Sequence, residues 1–335
     1  MIAAILRELH APLELAEVEV CAPQLGQVKV RMLASGICGA QLAEIRGEKG
    51  NAKFLPHLLG HEGCGVVEQI GIGVSKVQSG DRVILHWRKG DGIESDFPRY
   101  HYNGREIQSG KVVTFAETVC VSENRLTPVP AETPADLAAL LGCGLSTALA
   151  TLEHEAAMKA GETLLVIGAG GIGVNLLRAA GIAGATELTC WDAVASKRGM
   201  VEGFGARYVC ERPTTKVCGC FDLVVDTVGA AETVQAGAAM LAPGGRLILV
   251  GQPRGAVGVE QGGALFAGEG QTIKATQGGG FVPQRDIPRW LRMHREGRLP
   301  IDGIITHRIS FLEINGALEL MRGGKAGRVL LTFGE

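Results

Sequence analysis

The chain has 335 residues, 46% of them hydrophobic and 20% charged, with a formal net charge of −2. A single hydrophobic core stops growing near roughly 250–300 residues, so two domains are expected. So apolar a chain is not disordered, and one so near neutral has no global field to hold nucleic acid or an anionic membrane, which leaves a small-molecule partner.

The opening MIAAILRELH reaches charge at Arg7 and Glu8 before a leader-length apolar core forms, and no later stretch approaches ~18 apolar residues. A cytoplasmic protein with no membrane partner is therefore expected. Up to about residue 150 the chain reads as short β runs broken by glycine, at 27–33, 65–70, 81–86 and 112–121. From Thr163 the pattern changes: apolar strands TLLVIG, ELTCWD, DLVVDTVG, RLILVGQ and TIKATQ alternate with helical stretches at 174–180 and 231–241. Such alternation implies a parallel, doubly wound sheet. A helix at 285–298, a β run at 304–310, a helix at 312–322 and a strand at 328–333 close the chain and return to the first domain. The expected division is 1–150 and 281–335 for a mainly β catalytic domain, with 151–280 inserted as a nucleotide-binding domain. Nine cysteines at irregular spacing, an odd number, are unlike a disulfide framework and read as free thiols.

Gly168-Ala169-Gly170-Gly171-Ile172-Gly173 follows an apolar strand directly and opens a helix, so Gly168, Gly170 and Gly173 fit the GxGxxG spacing in its proper context. Gly168 allows the tight turn, Gly170 lets the backbone approach a pyrophosphate, and Gly173 lets helix and strand pack closely. About twenty residues on, the next strand ends at Asp192, whose carboxylate suits the ribose hydroxyls of NAD and repels a 2′-phosphate. Lys197 and Arg198 follow, and keep NADP open as an alternative.

Cys38 in SGICGAQ, His61-Glu62 in LLGHEGCGVV and Cys143 in LLGCGLSTALA each lie in a glycine-bounded segment. Together they offer two thiolates and one imidazole, a set suited to zinc with a fourth position left open. Taken singly, each residue is as readily a buried thiol or a satisfied polar turn.

These segments, in this order, resemble the medium-chain dehydrogenase/reductase family, in particular its zinc-dependent alcohol dehydrogenases. The resemblance runs over nearly the whole chain and rests on Gly60-His61-Glu62, Gly142-Cys143-Gly144, the GAGGIG loop, Asp226 in DLVVDTVG and Gly327-Arg328. It implies an α/β protein with a Rossmann doubly wound sheet and a GroES-like catalytic domain. It implies that Cys38, His61 and Cys143 hold one catalytic zinc, that Glu62 exchanges with water at the metal, and that Arg328 contacts the cofactor pyrophosphate. A homodimer or homotetramer is the expected assembly.

Three departures from the family matter. No cysteine lies between Gly65 and Val119, which excludes the four-cysteine structural zinc many relatives carry there. Ala40 and Ala43 occupy positions that commonly hold a Ser or Thr and a His as a proton relay. Gln41 replaces an Asp that supports the zinc-bound histidine, and its carbonyl is expected to accept the imidazole N–H without adding charge. His57 and Glu44 become candidate proton carriers. The segment 86–111 is rich in aromatic and basic residues, and Trp87, Arg88, Lys89, Tyr100 and Tyr102 are candidates for shaping a pocket for a polar or anionic substrate; the alternative is a surface or subunit-contact lobe whose basic residues are balanced by Asp91, Glu94 and Asp96.

The expected function is hydride transfer between NAD(H) and a polar alcohol, aldehyde or ketone. Two alternatives stand beside it: a zinc-free NADPH-linked quinone or enoyl reductase, and a catalytically silent nucleotide-binding protein.

Overall fold

The computed structural model describes residues 1–210, 220–253, 255, 270–324 and 326–334. Cα proximity divides the chain into two compact units, Met1–Gly144 with Val282–Met293 and Ile305–Glu335, and Leu145–Phe281 with His294–Ile304. Among the described residues no single helix is long and apolar enough to cross a membrane.

The first unit is built from β1 (Ile2–Leu6), β2 (Glu14–Glu17), β3 (Glu19–Val20), β4 (Gln27–Gly36), β5 (His57–Leu58), β6 (Glu62–Ile70), β7 (Arg82–His86), β8 (Tyr100–Tyr102), β9 (Arg105–Ile107), β10 (Thr118–Ser122) and β11 (Leu126–Val129). Its main sheet runs β11-β7-β6-β4 and is continued by two strands from the end of the chain, β19 (Arg328–Thr332) and β18 (Ile305–Ser310), with β10 also pairing β4. Period-two alternation sends Val28, Val30 and Met32 of β4 into a core with Val67, Val83, Leu85, Val119 and Val121. A second core joins Ile37, Leu42 and Ile45 to Phe311, Ile314 and Leu318, so α1 (Gly39–Ile45) packs against the helix at Ile314–Arg322.

The expected strand at 112–121 forms a ladder only over Thr118–Ser122. Thr114 and Phe115 both donate their N–H groups to Leu59 O (3.1 Å each), and the stretch before β10 meets β1 only in the single bridge Ala3↔Ala116, with Ala4 N–H donating to Phe115 O (2.9 Å) and Glu117 N–H to Ile2 O (3.0 Å).

The second unit is a six-stranded sheet in the order β14-β13-β12-β15-β16-β17, from β12 (Thr163–Ile167), β13 (Glu187–Trp191), β14 (Arg207–Val209), β15 (Phe221–Asp226), β16 (Leu241–Leu249) and β17 (Thr272–Ala275). Every pairing is parallel, and the order reverses beside β12, the switch point where doubly wound sheets bind ligands. The near-continuous apolar runs of β12 and β15 are those of strands covered on both faces. Residues 294–304, expected with the closing part of the catalytic domain, group with this unit. Arg178 donates to Asp302 O, and Gly303 sits against the Phe204 ring.

The helix Gly171–Ala183 begins where β12 ends, and a Cβ on Gly173 would stand 1.8 Å from Gly168 O. A Cβ on Gly170 would meet nothing within 4 Å. Gly173→Ala is therefore expected to cost about 1–3 kcal/mol by overpacking and to lower Tm by several degrees in a calorimetric scan. Gly170→Ala is expected to leave Tm unchanged.

Candidate active site

Cys38 lies just past the end of β4, at the start of α1, while His61 immediately precedes β6 and Glu62 opens it. β4 and β6 are paired through Ser35↔Gly63 and Ala34↔Cys64, which sets the two segments side by side. Cys143 occupies the turn between α2 (Ala135–Leu141) and α3 (Gly144–Ala150), and α2 packs on β6. The result is a cluster in which one ligand atom from each of Cys38, His61, Glu62 and Cys143 lies within 4.8 Å of the others. Among the described residues it is the one such group of metal-capable side chains.

Glu62 and Cys143 are buried and Cys38 and His61 half-buried, and the charges are arranged around the two sulfurs. The Cys143 thiol donates to Cys38 and, with His61 and Arg328 adding, holds the Cys38 thiol well below its ordinary range despite burial. The same contact, together with burial, pushes Cys143 well above its own. The contact favours one negative charge held between the two sulfurs, and a dication bound there would displace the remaining proton. Burial alone would lower His61, but the Cys38 sulfur, Glu62 and Glu44 outweigh it and raise its affinity for a proton.

Arg328, 1% exposed, forms an ion pair with Glu62, which is fully buried, and donates to Ile37 O (3.0 Å). The Gly144 N–H donates to Glu62 Oε2 (3.2 Å), whereas Glu62 Oε1 has no hydrogen-bond partner. A Cβ on Gly36 would lie 2.6 Å from Arg328 Nη2 and 2.8 Å from Glu62 Cδ, so the last residue of β4 must be bare for the pair to form. Burial raises the Glu62 carboxyl more than Arg328 holds it down. Two sulfurs, an imidazole and a carboxylate oxygen with no other partner are a donor set that fits zinc.

Several expectations are revised in detail. Gln41, 1% exposed, uses its carbonyl oxygen to accept from Cys38 N (2.9 Å), and it is Nε2 that faces His61 Nδ1 at 2.6 Å. It still fixes the imidazole and adds no charge. His57, expected as a proton carrier, stands outside the donor cluster. Its Nδ1 donates to Leu58 O (3.1 Å), its Nε2 accepts from Asn51 Nδ2 (3.0 Å), and burial lowers its proton affinity, which describes a satisfied neutral core histidine. Arg328, expected against a pyrophosphate, is engaged inside the first unit by Glu62 and Ile37. Tyr100 is buried with its hydroxyl donating to Cys120 O (3.0 Å), and Tyr102 donates to Glu14 Oε1 (2.7 Å), so neither hydroxyl serves a substrate. The Glu62 to Arg328 pair was invisible to sequence reasoning, because no local spacing links the two positions.

In the second unit Gly168 (φ +96°) makes the turn after β12, and its N–H donates to Trp191 O (2.8 Å). Gly171, Ile172 and Gly173 form the first turn of α4 (Gly171–Ala183). Asp192 follows β13; its Oδ2 accepts from Ala169 N (2.7 Å) inside the glycine loop and pairs with Lys197 Nζ (2.9 Å). Asp192 Oδ1 accepts from Val194 N (2.8 Å), and the Tyr208 hydroxyl contacts the carbonyls of both Asp192 and Val194. Arg198 is engaged elsewhere, with Glu202 at 3.3 Å and over the Tyr208 ring. Asp226 is fully buried, accepting from Val228 N, Gly229 N and the Thr233 hydroxyl, and so shapes the turn into the helix Ala231–Ala239. The open space over Gly170, bordered by an acidic strand end, is a cradle for a dinucleotide.

Comparison with known proteins agrees in both halves. Residues 24–131 match the alcohol dehydrogenase GroES-like domain and residues 171–294 the zinc-binding dehydrogenase domain. The chain is 29% identical to an NDMA-dependent alcohol dehydrogenase of Amycolatopsis methanolica, over 96% of each chain. It is also 29% identical to putative alcohol dehydrogenase D of Mycobacterium tuberculosis, over 96% of this chain and 97% of that one. Among solved structures it superposes on an alcohol dehydrogenase zinc-binding domain protein from Burkholderia ambifaria with TM-score 0.91 at 26% identity, covering 100% of this chain and 99% of that one. An alcohol dehydrogenase from Thermus sp. ATN1 gives TM-score 0.82 at 25% identity, with 100% of both chains covered. With both of its domains matched and the relatives spanning its length, the chain belongs to the medium-chain dehydrogenase/reductase family, among the alcohol dehydrogenases.

Proposed function

We propose that the protein is a zinc-dependent oxidoreductase that transfers a hydride between NAD(H) and a polar alcohol, aldehyde or ketone. The observation that carries this reading is the half-buried cluster of Cys38, His61, Glu62 and Cys143, whose carboxylate leaves Oε1 unpartnered. The names of the relatives, alcohol dehydrogenases in both comparisons, support the reaction class.

Cys38, His61 and Cys143 are the residues that would hold the metal, with Glu62 beside them as a fourth donor. Bound there, zinc supplies Lewis acidity to an alcohol or carbonyl oxygen, and NAD supplies the hydride acceptor. The chain contributes the rest. Gln41 holds the His61 ring by its inner edge, and Arg328 offsets the Glu62 charge so that the buried pair is neutral beside the thiolate. Asp192 would accept hydrogen bonds from the adenosine ribose, and Lys197 is bound to it at 2.9 Å without offering a second cation for a 2′-phosphate. With Arg198 occupied by Glu202, this favours NAD over NADP. One relative is described as NDMA-dependent, so NDMA belongs beside NAD and NADP among the acceptors tested.

Elemental analysis of purified protein is expected to find close to one zinc per chain. Cys38→Ser and Cys143→Ser are expected to lose metal and alcohol oxidation together while NADH titrates much as before. Two tightly held zincs, or activity in metal-free protein, would contradict the assignment.

Turnover with NAD is expected to exceed that with NADP. Asp192→Ser is expected to narrow the gap by removing the charge that repels a 2′-phosphate, and Gly170→Ala to weaken NADH binding at unchanged Tm. Equal or better activity with NADP in the parent protein would overturn the cofactor choice.

A further inference from the structure

The donor cluster is not equally enclosed on all sides. Glu62 and Cys143 are buried, whereas Cys38, at the start of α1, and His61, just before β6, are half-buried. A Cβ on Gly39 would meet nothing within 4 Å, so there is open space beside Cys38 as well. Any proton that leaves the cluster for water has its shortest way out past these two residues and α1.

α1 turns two different faces to its surroundings. Leu42 and Ile45 join the core with Phe311, Ile314 and Leu318. At about 100° of helix per residue, Gln41 stands at the edge of that face, and Ala40 and Glu44 stand beyond it on the side away from Leu42. Gln41 Nε2 meets His61 Nδ1 at 2.6 Å, so this side of the helix adjoins the imidazole. Glu44 is about 4.5 Å further along the axis than Gln41, and the alanines at 40 and 43 leave the space around it unfilled by longer side chains.

The electrostatics place the Glu44 carboxylate on the same open side. The charges that act on it are those of His61, Cys38 and Lys49, and it acts in return on His61; the enclosed Glu62 and Cys143 are not among them. The other charged groups around α1 have their own places: Arg46 pairs with Glu48 (2.8 Å), Arg322 with Glu319, and Lys53 lies over the Phe54 ring, while Glu8 and His10 are exposed. His57 is neutral and satisfied, as described above.

Glu44 is half-buried, and its backbone is fixed by Gly47 N (2.9 Å) and Asn51 Nδ2 (3.1 Å), both donating to its carbonyl. Among the described residues no hydrogen bond or ion pair occupies its carboxylate. Burial raises the carboxyl above its ordinary range, with His61 and Lys49 opposing and the Cys38 sulfur adding, so it takes up a proton more readily than a surface carboxylate does.

We propose that Glu44 accepts the hydroxyl proton of the alcohol being oxidised and passes it to solvent, in place of the relay that Ala40 and Ala43 cannot form. In the balanced step the C–H bond breaks with its electron pair, which leaves as hydride to NAD. The O–H bond breaks with its pair retained to complete the carbonyl, and the proton goes to the Glu44 carboxylate and then to water. This assignment rests on the dehydrogenase reading above and adds to it the route of the proton.

The test uses zinc-loaded protein with NAD bound. Trifluoroethanol, whose electron-poor carbon resists hydride loss, serves as an alcohol that can give up only its proton. On its addition an infrared difference spectrum is expected to show a protonated-carboxyl band that Glu44→Gln abolishes. Glu132→Gln, which alters an exposed carboxylate between β11 and α2, is expected to keep it. With benzyl alcohol, isopropanol and glycerol as oxidised probes, single-turnover oxidation in Glu44→Gln is expected to fall about a hundredfold, the low end of what a positioned general base contributes. The same variant is expected to lose the rise of rate with pH that ionisation of Glu44 gives the parent, and Glu44→Asp to recover part of both, with zinc content and NADH affinity unchanged throughout. Parent-like oxidation in Glu44→Gln, a carboxyl band that survives the substitution, or loss of zinc or NADH binding in its place would overturn the proposal and leave the dehydrogenase reading standing. A Glu44-dependent band in a protein that oxidises none of the alcohols would uphold the proton acceptor and sink that reading instead.

Discussion

The buried ion pair between Glu62 and Arg328 is the constraint around which the first unit is organised. Glu62 opens β6 and Arg328 opens β19, and both strands flank β4, whose final Gly36 leaves the space the pair needs. Two charges taken out of water cost several kcal/mol each unless they face one another with further hydrogen bonds. Here Ile37 O and Gly144 N–H supply those bonds, from the segments that carry Cys38 and Cys143. The same contact therefore ties the end of the chain into the sheet and sets the spacing of the donors. It also explains why Arg328 is the more strongly protonated and Glu62 the more easily neutralised member: burial opposes both charges, and neighbouring sulfurs favour only the cation.

A second consequence concerns where freedom remains. Gln41 and His57 both have their polar atoms committed to neighbours, and the two alanines at 40 and 43 carry no proton. The chemistry of the cluster is accordingly left to the sulfurs, to His61, to the unpartnered oxygen of Glu62 and to nearby Glu44, whose carboxyl is raised by burial. On the other side of β6, buried His86 spends its two nitrogens on holding a turn, which turns a titratable residue into a piece of scaffolding. Aromatic and basic residues close together in sequence thus serve different ends: Tyr100 ties β8 to β10 and Tyr102 ties it to β2, while the backbone carbonyls of Trp87 and Arg88 are held by Arg125 and His86.

The local features were legible in the sequence because they depend on neighbours a few residues apart. Strand alternation in β4, the apolar runs of β7, β12 and β15, the glycine loop from Gly168 to Gly173 and the acidic end of β13 at Asp192 all follow from side-chain period and backbone sterics. The residues of the donor cluster were legible as a set of types, and the sheet register brings them within reach of one another. What only the tertiary structure decided were partners: Arg328 with Glu62, the Gln41 carbonyl with Cys38 N instead of His61, His57 with Asn51, and Tyr100 with Cys120. Each depends on which strand lies beside which and on how deeply a polar atom is buried. A buried group must take whatever donor or acceptor the packing places next to it, and that neighbour is set by sheet order, which no short stretch of sequence encodes.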